Sequence, residues 1–211
     1  MTVTSPDETH LILVRHGQIQ ANVDKLWHGW TDSALTSMGQ AQAERAAARI
    51  AEEHPDISAI YASPLQRAFN TAQAIANVLG LTVTVEPRLK EYGIGVLEGT
   101  SFGDLHREHD FFGQIDANAH YAPEGGESIS QVGQRVREAV LELHARHPGE
   151  KIVAVSHGAA MALALAGLLD EDLYAWNNYH FQNTAVTELR LGPSPQLVRF
   201  NCTRHLDDLQ P

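Results

Sequence analysis

The chain has 211 residues, 43% hydrophobic and 19% charged, which fits one globular domain with a sizeable core and excludes a disordered or fibrous chain. A formal net charge of −11 argues against a nucleic-acid partner, because duplex affinity comes from Lys and Arg neutralising phosphates. The single cysteine, Cys202, excludes an internal disulfide framework and reads as a small apolar filler in a reducing compartment.

Met1 to Glu8 carries no basic region and no apolar stretch, so no signal peptide is expected. The longest apolar run, Ala159 to Leu169, is about half of what a bilayer-spanning helix needs. It reads as a buried helix, with no membrane partner and a cytoplasmic location. In chain order, His10 to Arg15 contains the run Leu11-Ile12-Leu13-Val14 and predicts a buried strand. Thr36 can cap a helix to about Glu53, ended by His54-Pro55, and Ile57 to Ala62 is a second strand. Ser63-Pro64-Leu65-Gln66 offers an N-cap, a proline at the first helical position and a capping-box glutamine for a helix that stops at Gly80. Thr82 to Val85 is a short strand. Arg88 to Gly126 is glycine-rich and irregular, a small cap region with one short helix expected. Ser128 and Gln131 open a helix that ends near His147-Pro148. Ile152 to Val155 is a buried strand leading into the Ala159 to Leu169 helix. Thr184 to Leu191 and Gln196 to Phe200 complete a sheet as a hairpin around Gly192-Pro193. The alternation implies a single α/β domain over 1–211, a three-layer α/β/α sandwich on a mostly parallel sheet.

Ligands of such sheets sit at the carboxyl ends of strands. Three ends carry unusual chemistry: Arg15-His16-Gly17, Ser63-Pro64 followed by Arg67, and Ser156-His157-Gly158. Two guanidiniums with nearby backbone N–H groups suit a tetrahedral dianion. A neutral imidazole such as His16 is a competent nucleophile toward phosphorus, and His157 can donate to phosphoryl oxygens. Taken singly, these are a surface arginine and a satisfied histidine; together at strand ends they form a candidate phosphate site.

Leu13-Val14-Arg15-His16-Gly17 with Asn22 resembles the signature of the histidine phosphatase superfamily, which includes the cofactor-dependent phosphoglycerate mutases. The likeness continues in order through Asp32 to Thr36, Ser63 to Ala68, Leu89-Lys90-Glu91, Gly95 with Glu98-Gly99, Gly125 to Ser128, and Val155 to Gly158. It spans nearly the whole chain. The resemblance implies that His16 accepts the phosphoryl group while Arg15, Asn22, Arg67 and His157 hold its oxygens. It also implies that Glu91 protonates the leaving alcohol and later activates water. From residues alone, Glu91 is a carboxylate in a loop. No metal or cofactor is implied. The sequence departs from the family pattern at Ile19 (threonine is common there), Ala34 (proline) and Leu97 (an aromatic), which bears on pocket polarity and substrate preference.

Mutases of the family carry a longer, arginine-bearing insertion after the catalytic glutamate. Here Thr100 to Pro123 is short, Arg107 is its one arginine, and Glu91 to Gly95 lacks the mutases' Arg-His pair. His28-Gly29-Trp30 with Asp32 instead matches the mutase form of that loop. The balance points to a phosphomonoester hydrolase acting on a small phosphorylated metabolite, with phosphoglycerate mutase as the alternative. The pocket wall is expected from His28, Gly29 and Trp30 and from the 100–123 segment, where Phe102, Phe111, Phe112 and Tyr121 are available, most of them expected instead to pack a cap over the sheet. His106 with His109 and His144 with His147 have helical spacing for metal, yet lack completing ligands and read as surface histidines.

Two rivals belong to other classes. Ala154 to Gly158 imitates a nucleophile elbow, which would make Ser156 an esterase nucleophile with Asp170 and His180 or His205 as partners. The other is a non-catalytic phosphate-binding module, for which Ile19 is the support.

Overall fold

The structure, a computed structural model, describes residues 7–209. Residues 1–6, part of the stretch expected to hold no export signal, lie outside the described residues, as do 210–211. Strands β1 (Thr9–Arg15), β2 (Ile57–Ala62), β3 (Val83–Val85), β4 (Lys151–Ser156), β5 (Val186–Leu191) and β6 (Gln196–Cys202) form one sheet in the order β3-β2-β4-β1-β5-β6. The pairs β1–β4, β2–β4 and β2–β3 are parallel; β5 and β6 add antiparallel to β1 as a hairpin.

The central strands read as continuous apolar runs because both faces are covered. Leu11 and Leu13 of β1 point into a cluster with α6 (Ile129–Arg146) and α7 (Gly158–Leu165). Ile12 and Val14 point to the other face, against α2 (Ser37–Glu53) and α3 (Gln66–Leu79). All four side chains are essentially inaccessible. The result is an α/β/α sandwich, as the alternation predicts.

Local signals set most boundaries. The Thr36 hydroxyl accepts from the Gly39 N–H (3.0 Å) and starts α2; Ser128 and Gln131 cap α6 reciprocally; Gly80, at φ 69°, ends α3. The start of α3 differs from expectation. Leu65, not Ser63, is its N-cap residue, and the exposed N–H of Gln66 is taken by Asp32 Oδ1 at 2.9 Å. A cap from a distant loop frees the Ser63 hydroxyl to turn inward. The short helix α1 (Gln20–Asp24) and the 3₁₀ turn Leu173–Asn178 were not signalled by periodicity. In 88–126 the chain forms two 3₁₀ turns, Pro87–Leu89 and Gly95–Leu97, and two helices, α4 (Phe102–Arg107) and α5 (Phe111–Ala117), where one was expected. Leu89, Tyr92, Ile94, Leu105, Phe111 and Ile115 of this segment share the core cluster of Leu11 and Leu13. Beyond α7 the helix widens into a π turn, Ala166–Asp170.

The second histidine pair is not surface decoration. His144 Nδ1 lies 2.8 Å from the Thr9 hydroxyl, and His147 lies 2.8 Å from both Tyr61 Oη and Glu150 Oε2. At the far side of the hairpin, Arg199 Nη1 lies 2.7 Å from both Glu53 and Glu188. Burial pushes both carboxyls up. Arg49, Arg199 and Arg204 outweigh it at Glu53, bringing it to about 2; His10, His54 and Arg199 do so at Glu188, holding it well below the usual carboxylate range. A carboxyl with a depressed folded pKa stabilises above its unfolded value, about 4.3, and loses that contribution as pH falls toward the folded one. The thermal midpoint should therefore drop steeply between about pH 5 and pH 2, and less steeply in a Glu188→Gln variant. Differential scanning calorimetry against pH checks this; equal slopes for both proteins would contradict it.

Candidate active site

Strand register assembles the site. Arg15 of β1 stands opposite Ser156 of β4, and Ala62 of β2 opposite Val155. The next residues of each strand, His16, Ser63 and His157, therefore emerge side by side at one sheet edge. The His16 and His157 rings lie 5.1 Å apart between centroids.

The Gly17 carbonyl, 2.7 Å from His16 Nδ1, can only accept, so Nδ1 carries the proton and Nε2 keeps its lone pair. Burial, then the charges of Arg67 and Arg15, push this imidazole well below its ordinary pKa and keep it neutral. Gly17 is required by contact: a Cβ there would meet the Gly39 carbonyl oxygen at 2.4 Å.

Arg15 donates through Nη1 to the Phe181 carbonyl (2.6 Å), while its buried Nε has no partner. Glu91 sits at the N-terminus of α7, its carboxylate accepting from the backbone N–H groups of Tyr92 (2.9 Å), Ala160 (2.8 Å) and Ala159 (3.3 Å). The Ala159 and Ala160 donors are orphans of the α7 start, and a carboxylate satisfies them. Arg135 fixes the backbone beneath, donating to the carbonyls of Arg88, Lys90 and Glu91 while paired with Glu127 at 2.7 Å. Gly158 separates the two groups: a Cβ there would lie 3.6 Å from Arg15 Nε and 4.0 Å from Glu91 Oε2.

A cavity of about 630 Å³ opens over this edge, lined among others by Arg15, His16, Asn22, His28 and Glu91. Asn22 Oδ1 accepts from Ile19 N–H (3.1 Å) and Asn183 Nδ2 (3.2 Å). Arg67 and His157 are fully buried and stand behind His16 rather than on the cavity wall. Arg67 donates to the carbonyls of Thr31 (2.9 Å), His28 (3.0 Å) and Gly29 (2.7 Å), and through Nε to His157 Nδ1 (3.2 Å). That donor leaves the proton of a neutral His157 on Nε2, which points to the Ser63 hydroxyl at 2.8 Å. Burial, then Arg67, keeps His157 neutral as well.

The expected pocket wall needs correction. Gly29 does not line the cavity; it is a close-approach glycine whose Cβ would meet Glu98 Oε1 and the Tyr92 carbonyl, each at 2.3 Å. Trp30, Phe111 and Tyr121 are also off the wall, Phe111 being sealed in the core. His28, Phe102 and Phe112 do line it, joined by Trp176, Asn177, Tyr179, His180, Phe181 and Asn183, of which the sequence singled out only His180, and that as an esterase partner. Glu98, seen only as part of a motif, accepts from the backbone N–H groups of Gly29, Trp30 and Thr31 and so ties down the loop that Arg67 holds from behind.

The esterase geometry is absent. Ser156 is buried and its hydroxyl donates to the Leu89 carbonyl at 2.8 Å, away from the cavity. Among the described residues, one group gathers three possible metal ligands, His10, His54 and Glu188. It starts at the other end of β1, about 20 Å along the strand from His16, and Glu188 is already held by Arg199. No helix among the described residues is long and apolar enough to cross a membrane.

With this geometry in view, comparison with known proteins is decisive at the family level. The sequence profile of the histidine phosphatase superfamily (branch 1) matches residues 11–203. The chain belongs to this superfamily. A relative from Yersinia enterocolitica named probable phosphoglycerate mutase GpmB is 35% identical over 194 residues, 89% of this chain and 87% of its own. Among solved structures, phosphoserine phosphatase from Entamoeba histolytica in complex with 3-phosphoglyceric acid superposes with TM-score 0.84 at 31% identity, covering 94% of this chain and 99% of its own. A mycobacterial glucosyl-3-phosphoglycerate phosphatase complexed with VO3 gives 0.81 at 31% identity, over 92% and 98%. As a histidine phosphatase superfamily enzyme, the chain sits among phosphatases by structure and among mutase-named relatives by sequence.

Proposed function

We propose that the protein is a metal-independent phosphomonoester hydrolase working through a phosphohistidine, with His16 as nucleophile. The observation that carries this is the His16 ring itself: neutral, its Nδ1–H fixed on the Gly17 carbonyl, its Nε2 lone pair free beside Arg15 and Glu91 at the cavity floor. Nε2 attacks phosphorus as the bond to the alcohol oxygen breaks, and Glu91 in its acid form delivers a proton to that oxygen. Water then attacks the phosphohistidine, Glu91 takes its proton, and the N–P electron pair returns to Nε2 as phosphate leaves. Arg15 and Asn22 face the phosphoryl oxygens; Arg67 adds positive field from behind and, with Ser63, holds the neutral His157 ring beside His16. Charge neutralisation is thus assigned to guanidiniums, and EDTA should leave turnover unchanged.

The Glu91→Gln variant keeps the shape and loses the proton. Its kcat should fall by about 10²- to 10⁴-fold on an alkyl ester and much less on p-nitrophenyl phosphate, whose leaving group needs no acid. Steady-state assays on both esters with EDTA present check this; equal losses on both would remove Glu91 from the acid role.

The mutase-named relatives favour a second reading, phosphoryl return to another hydroxyl of the bound molecule. Interconversion of 2- and 3-phosphoglycerate faster than phosphate release would select it.

A further inference from the structure

The geometry points to a substrate whose alcohol half is a bulky aromatic or largely apolar group without a carboxylate. This deepens the hydrolase reading and rests on it for which bond is cleaved. At about 630 Å³ the cavity lies in the middle of the range for drug-sized ligands, about 300–1,000 Å³. Arg15, His16, Asn22 and Glu91 occupy its phosphoryl pole. Beyond that pole the wall also carries Lys25, His28, Asn177, His180 and Asn183, but its large surfaces are aromatic from two sides. One side is Trp27 with Phe102 and Phe112, whose rings lie 5.4 and 6.4 Å from the Trp27 ring. The other is Trp176, Tyr179 and Phe181, the last two backed by Phe200 at 5.6 and 5.3 Å. Phe102 stands 48% exposed at the opening, an apolar surface that a ligand ring would cover.

Charge makes the same choice. Among the lining residues the fixed cations are Arg15 and Lys25. Arg15 faces the phosphoryl group and the Phe181 carbonyl, while Lys25 is exposed at the end of α1. His28, which lines the wall, is held toward the neutral form by burial and then by Arg67. A second carboxylate, as in phosphoserine or a phosphoglycerate, would therefore face aromatic rings with no bidentate partner and lose its hydration. An aryl or extended apolar group loses nothing there and stacks on both walls. Specificity is thus assigned to Phe102, Phe112 and Trp176, and it runs against the acids named for the solved relatives.

The test has a binding arm and a turnover arm. By calorimetry, 1-naphthylmethylphosphonate should bind at least about tenfold more tightly than 2-amino-4-phosphonobutyrate, the phosphonate analogue of phosphoserine. In Phe102→Ala that ratio should shrink at least about fivefold. Equal or tighter binding of the amino acid phosphonate overturns the inference, as does an unchanged ratio in the variant. In the turnover arm, kcat/KM should favour 1-naphthyl phosphate over phosphoserine and 3-phosphoglycerate. A preference for either acid overturns the inference while leaving the hydrolase reading intact. Preferential binding of the naphthyl phosphonate with no ester hydrolysed would instead defeat the hydrolase reading and uphold the cavity assignment.

Discussion

Replacing His16 by alanine should lower turnover of every ester by ~10⁴-fold or more, because losing a covalent nucleophile removes the pathway rather than weakening it. The fold should survive. His16 is buried, yet its side chain is anchored by a single hydrogen bond, to the carbonyl of its own neighbour. Quenching wild type with ³²P-labelled ester in alkaline detergent should leave a base-stable, acid-labile label on protein, absent from His16→Ala. Label retained in the variant would move the nucleophile elsewhere. The pH profile follows from the same ring. The reactive form is neutral, and burial with Arg67 and Arg15 pushes its pKa well below 6.5. Neutral imidazole therefore persists into acid, and any fall in kcat/KM from His16 protonation should lie clearly below the unperturbed value, not centred on it. An acid limb centred at 6.5 in wild type and absent from a His16 variant's residual activity would contradict that placement.

Truncating Arg67 should do two kinds of damage at once. Its guanidinium is inaccessible and bonds to three backbone carbonyls and to His157. Arg67→Ala leaves those acceptors unsatisfied in the interior and opens a cavity, a loss of about 3–5 kcal/mol in stability. It also releases the 28–31 loop, frees His157 to change tautomer and removes positive field from His16. We expect ~10³-fold in kcat/KM, the scale of losing one preorganised donor to developing charge. Arg67→Lys restores charge without the fork and should recover part of the rate but little of the loop order. Arg107, whose side chain is 70% exposed on α4 and pairs with Asp104, provides the contrast: Arg107→Ala should change stability by less than about 0.5 kcal/mol. Urea unfolding with parallel kinetics separates the two arginines; similar small losses from both would refute the role given to Arg67.

His16 was legible in advance from its place at a strand end before a glycine, Glu91 only through the family resemblance. Apolar runs bounded by glycine, proline and capping residues determined the strands and most helices, since burial and hydrogen-bond satisfaction at element ends act over a few residues. The order of motifs at strand ends determined that Arg15, His16, Arg67 and His157 would meet, because parallel strands place their carboxyl ends on one edge. Where the reading failed, the partner was remote in sequence. Ser63 looked like a cap until Asp32, thirty-one positions earlier, took that duty. Gly29 looked like pocket wall until Glu98 and Tyr92 closed on it. Arg67 was expected on the phosphate, yet loop carbonyls and His157 take its donors and hold it behind His16. The aromatic stretch 176–183 carried no periodic signal, and only its return across β1 brings it over His16. Local propensity is written along the chain; which side chain satisfies a buried donor, and which rings enclose a cavity, is decided by contacts between segments that no short window of sequence contains.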